Sequence, residues 1–180
     1  RKVVLATSIA ETSLTIDGVR VVIDSGLKRV PRFSPSTGMG SLETIRVSKD
    51  SAEQRKGRAG RTEPGVCVRL WTEAENGALR DKATPEIMEA DLASLALDLA
   101  VWGAERGGLK WLDAPPSASF DQATDVLARL GALDSEGKAT NHGRELARLP
   151  LHPRLGHMVV KGKELGMGAL ACVIAALLEE

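Results

Sequence analysis

Tyrosine is absent from the 180 residues, and two Phe with three Trp hold the aromatic content to 3%. That argues against a base-stacking platform, which reads single-stranded nucleic acid with exposed rings. Cysteine is scarce as well: Cys67 and Cys172 are too few for a disulfide framework, and their spacing suggests no zinc site. With 18 Gly and 8 Pro, the chain is neither collagen-like nor of low complexity. The longest apolar run, residues 167–178, is shorter than the roughly 20 residues a bilayer crossing needs. It ends in Glu179 and Glu180 and reads as a buried helix. Also missing is the G-x-x-x-x-G-K-[ST] loop that cradles a triphosphate. Gly131 to Gly137-Lys138 and Gly156 to Gly162-Lys163 each carry one residue too many, and neither Lys precedes Ser or Thr. No carboxylate pair has the setting of a magnesium site.

What is present is ordinary globular composition, 43% hydrophobic and 27% charged, sufficient for one core or two small ones. Zero net charge hides a split. Residues 1–80 hold fourteen basic and nine acidic side chains, and residues 81–180 hold ten and fifteen. A basic front half invites a phosphate-bearing partner. The chain opens directly on a strand-like run, with no initiator Met and no signal or transit segment, and closes within a helical pattern. The expectation is a piece of a longer protein.

Residues 3–7 and 20–24 are short β-branched runs suited to buried parallel strands. Residues 27–47, punctuated by Pro, Gly and Ser, read as an exposed β-hairpin. Residues 50–60 read as a helix and 65–71 as another strand, so the first part alternates as an α/β layer does. From Thr84-Pro85 the pattern turns helical, with Ile87, Met88, Leu92, Leu95, Leu99 and Trp102 spaced along one helix that Gly103 stops. A second helix is expected to open on a capping box, Ser119 to Gln122, and to end at Gly131. Residues 132–140 then form a tight two-stranded turn, followed by a helix through Leu149. Helix, helix, β-wing and helix is the grammar of a winged-helix module. The boundary between the two units falls near residues 75–83. His142, His152 and His157 are not spaced as helix-face metal ligands, and Trp71, Trp102 and Trp111 lie in or near the expected core.

Two segments carry chemistry. In Gln54-Arg-Lys-Gly-Arg-Ala-Gly-Arg61, helical spacing places Gln54, Arg58 and Arg61 on one face while Arg55 points elsewhere. Gly57 and Gly60 clear side chains beside that face, at about 1 kcal/mol of helix stability each. Two guanidiniums and an amide over a cleared surface suit a triphosphate, which they can grip bidentately. A solvated basic helix with incidental glycines is the alternative. The second segment, residues 6–17, is a hydroxyl-rich loop after a buried strand, where α/β proteins place ligand sites. Capping and turn formation are the other common use of such hydroxyls.

Together these segments resemble motif V (residues 6–17) and motif VI (residues 54–61) of the DEAH-box RNA helicases of superfamily 2. Gln54 matches that group, because the related DEAD-box enzymes usually have His there. Pro85-Glu-Ile, Trp111-Leu-Asp-Ala-Pro-Pro, Leu130-Gly-Ala-Leu and Gly143-Arg-Glu-Leu-Ala are similar to the family's downstream region, most closely in its bacterial HrpB branch. The likeness covers essentially the whole chain.

The resemblance implies an α/β part, residues 1–80, forming the C-terminal part of a second RecA-like lobe with parallel strands and a β-hairpin. It implies a mainly α winged-helix domain at 81–150 and the start of a helical bundle at 151–180. It makes Gln54 the residue that orients the attacking water, and Arg58 and Arg61 the arginine fingers that contact the nucleotide. Asp17 would meet the ribose, and Thr7 the RNA backbone, joined by Ser8 where the family commonly has Asn. The hairpin is shorter than in spliceosomal relatives. ATP and Mg2+ would be held mainly by an upstream lobe, so this chain alone, lacking the Walker A and DEAH motifs, should not hydrolyse ATP. Single-stranded RNA, bound without sequence preference, is the implied partner, and the bacterial cytoplasm the implied setting, with no membrane. Two alternatives stay open: a non-enzymatic winged-helix nucleic-acid-binding module, and a superfamily 2 helicase acting on DNA. Groove reading is disfavoured by the acidic residues Asp121 and Asp125 beside the lone Arg129.

Overall fold

A computed structural model of the chain describes residues 2–12, 16–34, 39–61 and 63–179. Their contacts divide it into two units, Arg1–Glu89 and Ala90–Glu180.

The first unit begins with residues 2–7 in no strand, with Val3 and Leu5 88% and 95% exposed. The expected strand at 3–7 is therefore not formed. A β-branched run becomes a strand only by pairing, and no described strand lies beside it. A single turn, α1 (Ile9–Thr12), follows. Strand β1 (Val21–Asp24) pairs in parallel with β4 (Val66–Arg69), Val21 opposite Val66 and Asp24 opposite Arg69. The latter strand is shorter than the 65–71 its sequence suggests. Between them, β2 (Leu27–Ser34) and β3 (Met39–Arg46) form the antiparallel hairpin as expected, with Leu27 opposite Arg46. The hairpin's residues 35–38 lie outside the described residues.

Helix α2 (Lys49–Lys56) runs back beside β1 and buries Ser51 and Ala52. It ends earlier than the expected 50–60. At Gly57 the amides of Arg58 and Ala59 turn back to Arg55 and Lys56, three residues away, at 3.1 Å each. That is the tighter pattern common at helix ends, here where two glycines weaken the helix. A short helix, α3 (Glu73–Ala78), is closed by a capping box between Thr72 and Glu75.

The helix expected from Thr84 to Trp102 is split, its first part falling in the first unit and the rest in the second. A 3-10 turn covers Glu86–Met88, and α4 (Ala93–Trp102) starts afresh where the Asp91 carboxylate accepts the Ala93 amide at 2.6 Å. An acidic side chain satisfying an orphan N–H is a start signal, and it overrides the apolar periodicity. Gly103 ends α4 at φ 76°, as expected. Helix α5 (Ser117–Arg129) opens directly after Pro116, so Ser119 lies inside the first turn and caps nothing. The expected tight turn is reduced to one bridge, Leu133 to Ala139, with the Asp134 carboxylate accepting the amides of Glu136 and Lys138. Helix α6 (Asn141–Leu146) stops short of Leu149, and α7 (Pro153–Glu164) and α8 (Gly168–Glu179) follow.

Leu97, Leu127 and Leu146 are fully buried at the centre of this unit. Its last helix departs from expectation. Of α8 only Ala171 and Ala175 are buried, against α7, while Leu170, Val173, Leu177 and Leu178 are all more than half exposed. The apolar run supplies a helix, but α7 alone cannot cover more than one of its sides. Trp102, expected in the core, is 73% exposed because it falls on the last residue of α4. No described helix is long and apolar enough to cross a membrane.

Candidate nucleotide and nucleic-acid interface

The end of β1 and the start of β2 fix the site's floor. Asp24, its side chain 1% exposed, accepts the Gly26 amide on Oδ1 at 3.0 Å. Gly26 turns the chain at φ 71°, and a Cβ there would meet the Trp71 ring at 2.8 Å. A side chain at this position would be both strained and crowded.

Over this floor lies Arg55, on the inward side of α2. Its Nη1 donates to Asp24 Oδ1 at 2.8 Å and to the Leu27 carbonyl at 3.0 Å, and its Nε donates to Glu11 Oε1 at 2.7 Å. The other Glu11 oxygen accepts from Ser51 Oγ at 2.6 Å. Burial of Arg55 favours its neutral form, but the carboxylates of Asp24 and Glu11 outweigh this and raise its pKa. The result is one buried cation shared by two carboxylates, linking α1, β1 and α2.

The turn after α2 carries Arg58, half-buried, whose Nη2 donates to the backbone carbonyl of Glu11. Arg61 is exposed further along, and Gln54 is exposed on α2 itself. These three residues therefore lie near one another in sequence order but not on one continuous helical face, because α2 has already ended. Nor do the glycines clear a crowded surface: a Cβ on Gly60 would meet nothing within 4 Å, and one on Gly57 only ordinary contacts. The sterically required glycine is Gly65, where a Cβ would fall 1.9 Å from the Ala59 carbonyl oxygen.

Thr7 and Ser8 are exposed at the start of α1, their carbonyls accepting the amides of Ala10 and Glu11 at 3.2 and 2.9 Å. Asp17 is exposed in a turn next to Gly18, and residues 13–15 of the hydroxyl-rich loop lie outside the described residues. The structure thus joins the 7–11 turn to the segment after α2 through Glu11.

Glu11, Asp24, Ser51 and Arg55 do not stand out in the sequence as functional residues. A signal was available: Ser51 and Arg55 are four apart on the side of α2 that also holds Ala52, and Asp24 ends a β-branched strand. An acid in that place implies a buried cation nearby.

Beside the site, Arg69 pairs with Glu53 at 2.6 Å and lies over the Trp71 ring, and its hydrogen bond, with that of Lys56, lowers the Glu53 pKa. Burial pushes the Cys67 thiol up, so it stays protonated at neutral pH and is a poor nucleophile. Among the described residues no group of three His, Cys, Asp or Glu could hold a metal ion. In the second unit, His142 Nε2 and His157 Nδ1 are 2.8 Å apart, and His152 lies 3.2 Å from Asp91. A cavity of about 320 Å3 there is lined by Leu97, Asp98, Leu146 and His152 among others, and by none of the first unit's residues named above.

A sequence model of the helicase conserved C-terminal domain matches residues 1–63. The whole chain is 45% identical to the ATP-dependent RNA helicase HrpB of Escherichia coli, over 22% of that protein. Over 99% of its length it is 41% identical to the pre-mRNA-splicing factor ATP-dependent RNA helicase prp22 of Schizosaccharomyces pombe, covering 15% of it. A crystal structure of the Escherichia coli DEAH/RHA helicase HrpB superposes on 97% of this chain with a TM-score of 0.86 and 43% identity, over 22% of the solved chain. The chain spans about a fifth or less of these relatives. Its parallel strands and hairpin are accordingly those of a RecA-like helicase lobe. On these likenesses the chain resembles, over essentially its whole length, a segment of the DEAH-box RNA helicases of the HrpB kind, and its front matches the helicase conserved C-terminal domain.

Proposed function

We propose that the protein containing this chain is an ATP-dependent RNA helicase, and that this segment closes over a nucleotide held mainly by an upstream lobe. In this reading Gln54 orients the attacking water, and Arg58 and Arg61 neutralise charge developing on the transferred phosphoryl group. Arginine fingers of this kind are worth roughly 10³ to 10⁵ in rate in related NTPases. Asp17 meets the ribose, while Thr7 and Ser8 hold RNA backbone. ATP with Mg2+ is the substrate, and the magnesium ligands come from that upstream lobe. Residues 1–80 complete the second RecA-like lobe, 81–150 form a winged-helix domain and 151–180 begin a helical bundle. The protein works on single-stranded RNA in the bacterial cytoplasm.

The observation that supports this most is the hydrogen bond from Arg58 to the Glu11 carbonyl. It puts the segment proposed to face nucleotide in contact with the turn that begins at the residues proposed to face RNA. A site that hydrolyses ATP in response to RNA needs such a connection. The test is ATP hydrolysis by the complete protein alone, with single-stranded RNA, and with single-stranded DNA of the same sequence. Stimulation by RNA well above that by DNA supports the reading. Equal or greater stimulation by DNA makes it a DNA-directed helicase, and no hydrolysis under any condition makes it a binding module.

A further inference from the structure

We propose that Glu11 and Arg55 are positioning residues that transmit RNA engagement at the 7–8 turn to Arg58. The proposal rests on the reading of Arg58 as the residue that approaches the nucleotide phosphates. Three residues form a closed ring. The Glu11 carboxylate accepts from the Arg55 guanidinium at 2.7 Å, the Arg55 carbonyl accepts the Arg58 amide at 3.1 Å, and the Arg58 guanidinium donates to the Glu11 carbonyl. Each link joins elements distant in sequence, or adjoining turns.

The ring is anchored on one side and exposed on the other. Arg55 is fixed to Asp24 at the end of β1 and to the Leu27 carbonyl at the start of β2, and Ser51 Oγ holds the second Glu11 oxygen at 2.6 Å. The side chains of Arg55 and Glu11 are only 15% and 14% exposed, so these bonds face little competition from water. On the other side, the Glu11 amide is bonded to the Ser8 carbonyl at 2.9 Å, one turn from exposed Thr7 and Ser8. A ligand that shifts Thr7 and Ser8 therefore moves Glu11. Because the carboxylate of Glu11 is pinned to α2, the displacement appears at its carbonyl, which is the acceptor for Arg58. Changing the Glu11 side chain retains that carbonyl as an acceptor but removes what fixes its position, so any effect on Arg58 is one of position.

The test uses the complete protein and measures RNA-stimulated kcat, KM for ATP and Kd for single-stranded RNA. The variants are Glu11→Gln, Ser51→Ala, Arg58→Ala and the double variant Glu11→Gln/Arg58→Ala. Glu11→Gln keeps shape and removes the charge. It is expected to lower kcat about tenfold while KM and Kd stay within about twofold, the split expected when transition-state contacts alone are lost. Ser51→Ala, a milder change that serves if Glu11→Gln does not fold, is expected to lower kcat about threefold in the same pattern. In the Arg58→Ala background Glu11→Gln is expected to add less than about twofold, because residues acting through one group are not additive. If Glu11→Gln and Ser51→Ala both leave kcat unchanged while Arg58→Ala collapses it, the inference fails and the functional reading stands. If the Glu11 and Arg58 effects multiply, the two act independently and the inference also fails. If Arg58→Ala itself leaves turnover intact, the functional reading falls and takes this inference with it.

Discussion

Arg55 Nη1 lies 2.8 Å from Asp24 Oδ1, and the side chain of that aspartate is 1% exposed. A carboxylate so buried needs its cation. Removing one partner of such a pair leaves an uncompensated charge and costs about 3 to 5 kcal/mol, whereas replacing both with apolar groups of similar size can be nearly neutral. Arg55→Ala is therefore expected to destabilise the chain by that amount in urea unfolding, and Arg55→Met/Asp24→Leu by clearly less. A loss below about 1 kcal/mol for Arg55→Ala would put the pair among exposed ion pairs instead.

The glycines of the 57–65 segment should separate sharply. Gly65→Ala pushes a Cβ to within 1.9 Å of the Ala59 carbonyl oxygen and 2.8 Å of the Arg20 carbonyl oxygen, both backbone atoms that cannot rotate aside. It should cost about 1 to 3 kcal/mol or more, as overpacking does. Gly60→Ala, with open space around it, should stay within about 0.5 kcal/mol of the parent. Thermal unfolding of the two variants checks this, and equal shifts would contradict it.

The second unit should weaken as pH falls. Burial, then the neighbouring His142 and Lys161, lower the His157 pKa from 6.5, against smaller opposing effects of the Leu130 backbone and Glu164. The folded state thus binds fewer protons here than the unfolded chain. Its contribution is fully present above about pH 6.5 and is lost as pH falls below that value. Between pH 7.5 and 5.5 the Tm of the parent should fall more than that of His157→Gln. Parallel curves would show that this pair does not carry the effect.

The parts of the fold written in local pattern were legible: the hairpin, the Gly103 stop, the body of α5 and the strand β1 all rest on adjacent residues, although β1 leaves Val21 and Ile23 58% and 68% exposed where a buried strand is expected. The misreadings share a cause. Residues 3–7 look like a strand but have no described neighbour, and α8 is apolar all round but meets only α7. In both cases burial depends on what lies alongside, which periodicity does not encode. The break at 89–92 turns on one Asp91 side chain bonding one amide. The site shows the same divide. Gln54, Arg58 and Arg61 were visible as a motif, whereas the Arg55 contacts with Glu11 and Asp24 span 44 and 31 residues and needed the fold.

If Thr7 and Ser8 hold RNA backbone, affinity should fall steeply with salt and vary little with sequence, since the energy comes largely from phosphate contacts. Titration of the complete protein with unrelated single-stranded RNAs at several salt concentrations checks this. A strong preference for one sequence with a shallow salt slope would indicate base reading instead.

In the proposed function, Arg58 of this segment reaches a nucleotide held elsewhere in the protein. The decisive comparison is RNA-stimulated ATP hydrolysis by the complete protein and by its Arg58→Ala variant, with RNA binding measured in parallel. Turnover is expected to fall by roughly 10³-fold or more in the variant while RNA binding persists. Turnover that survives the substitution unchanged would contradict the proposed function.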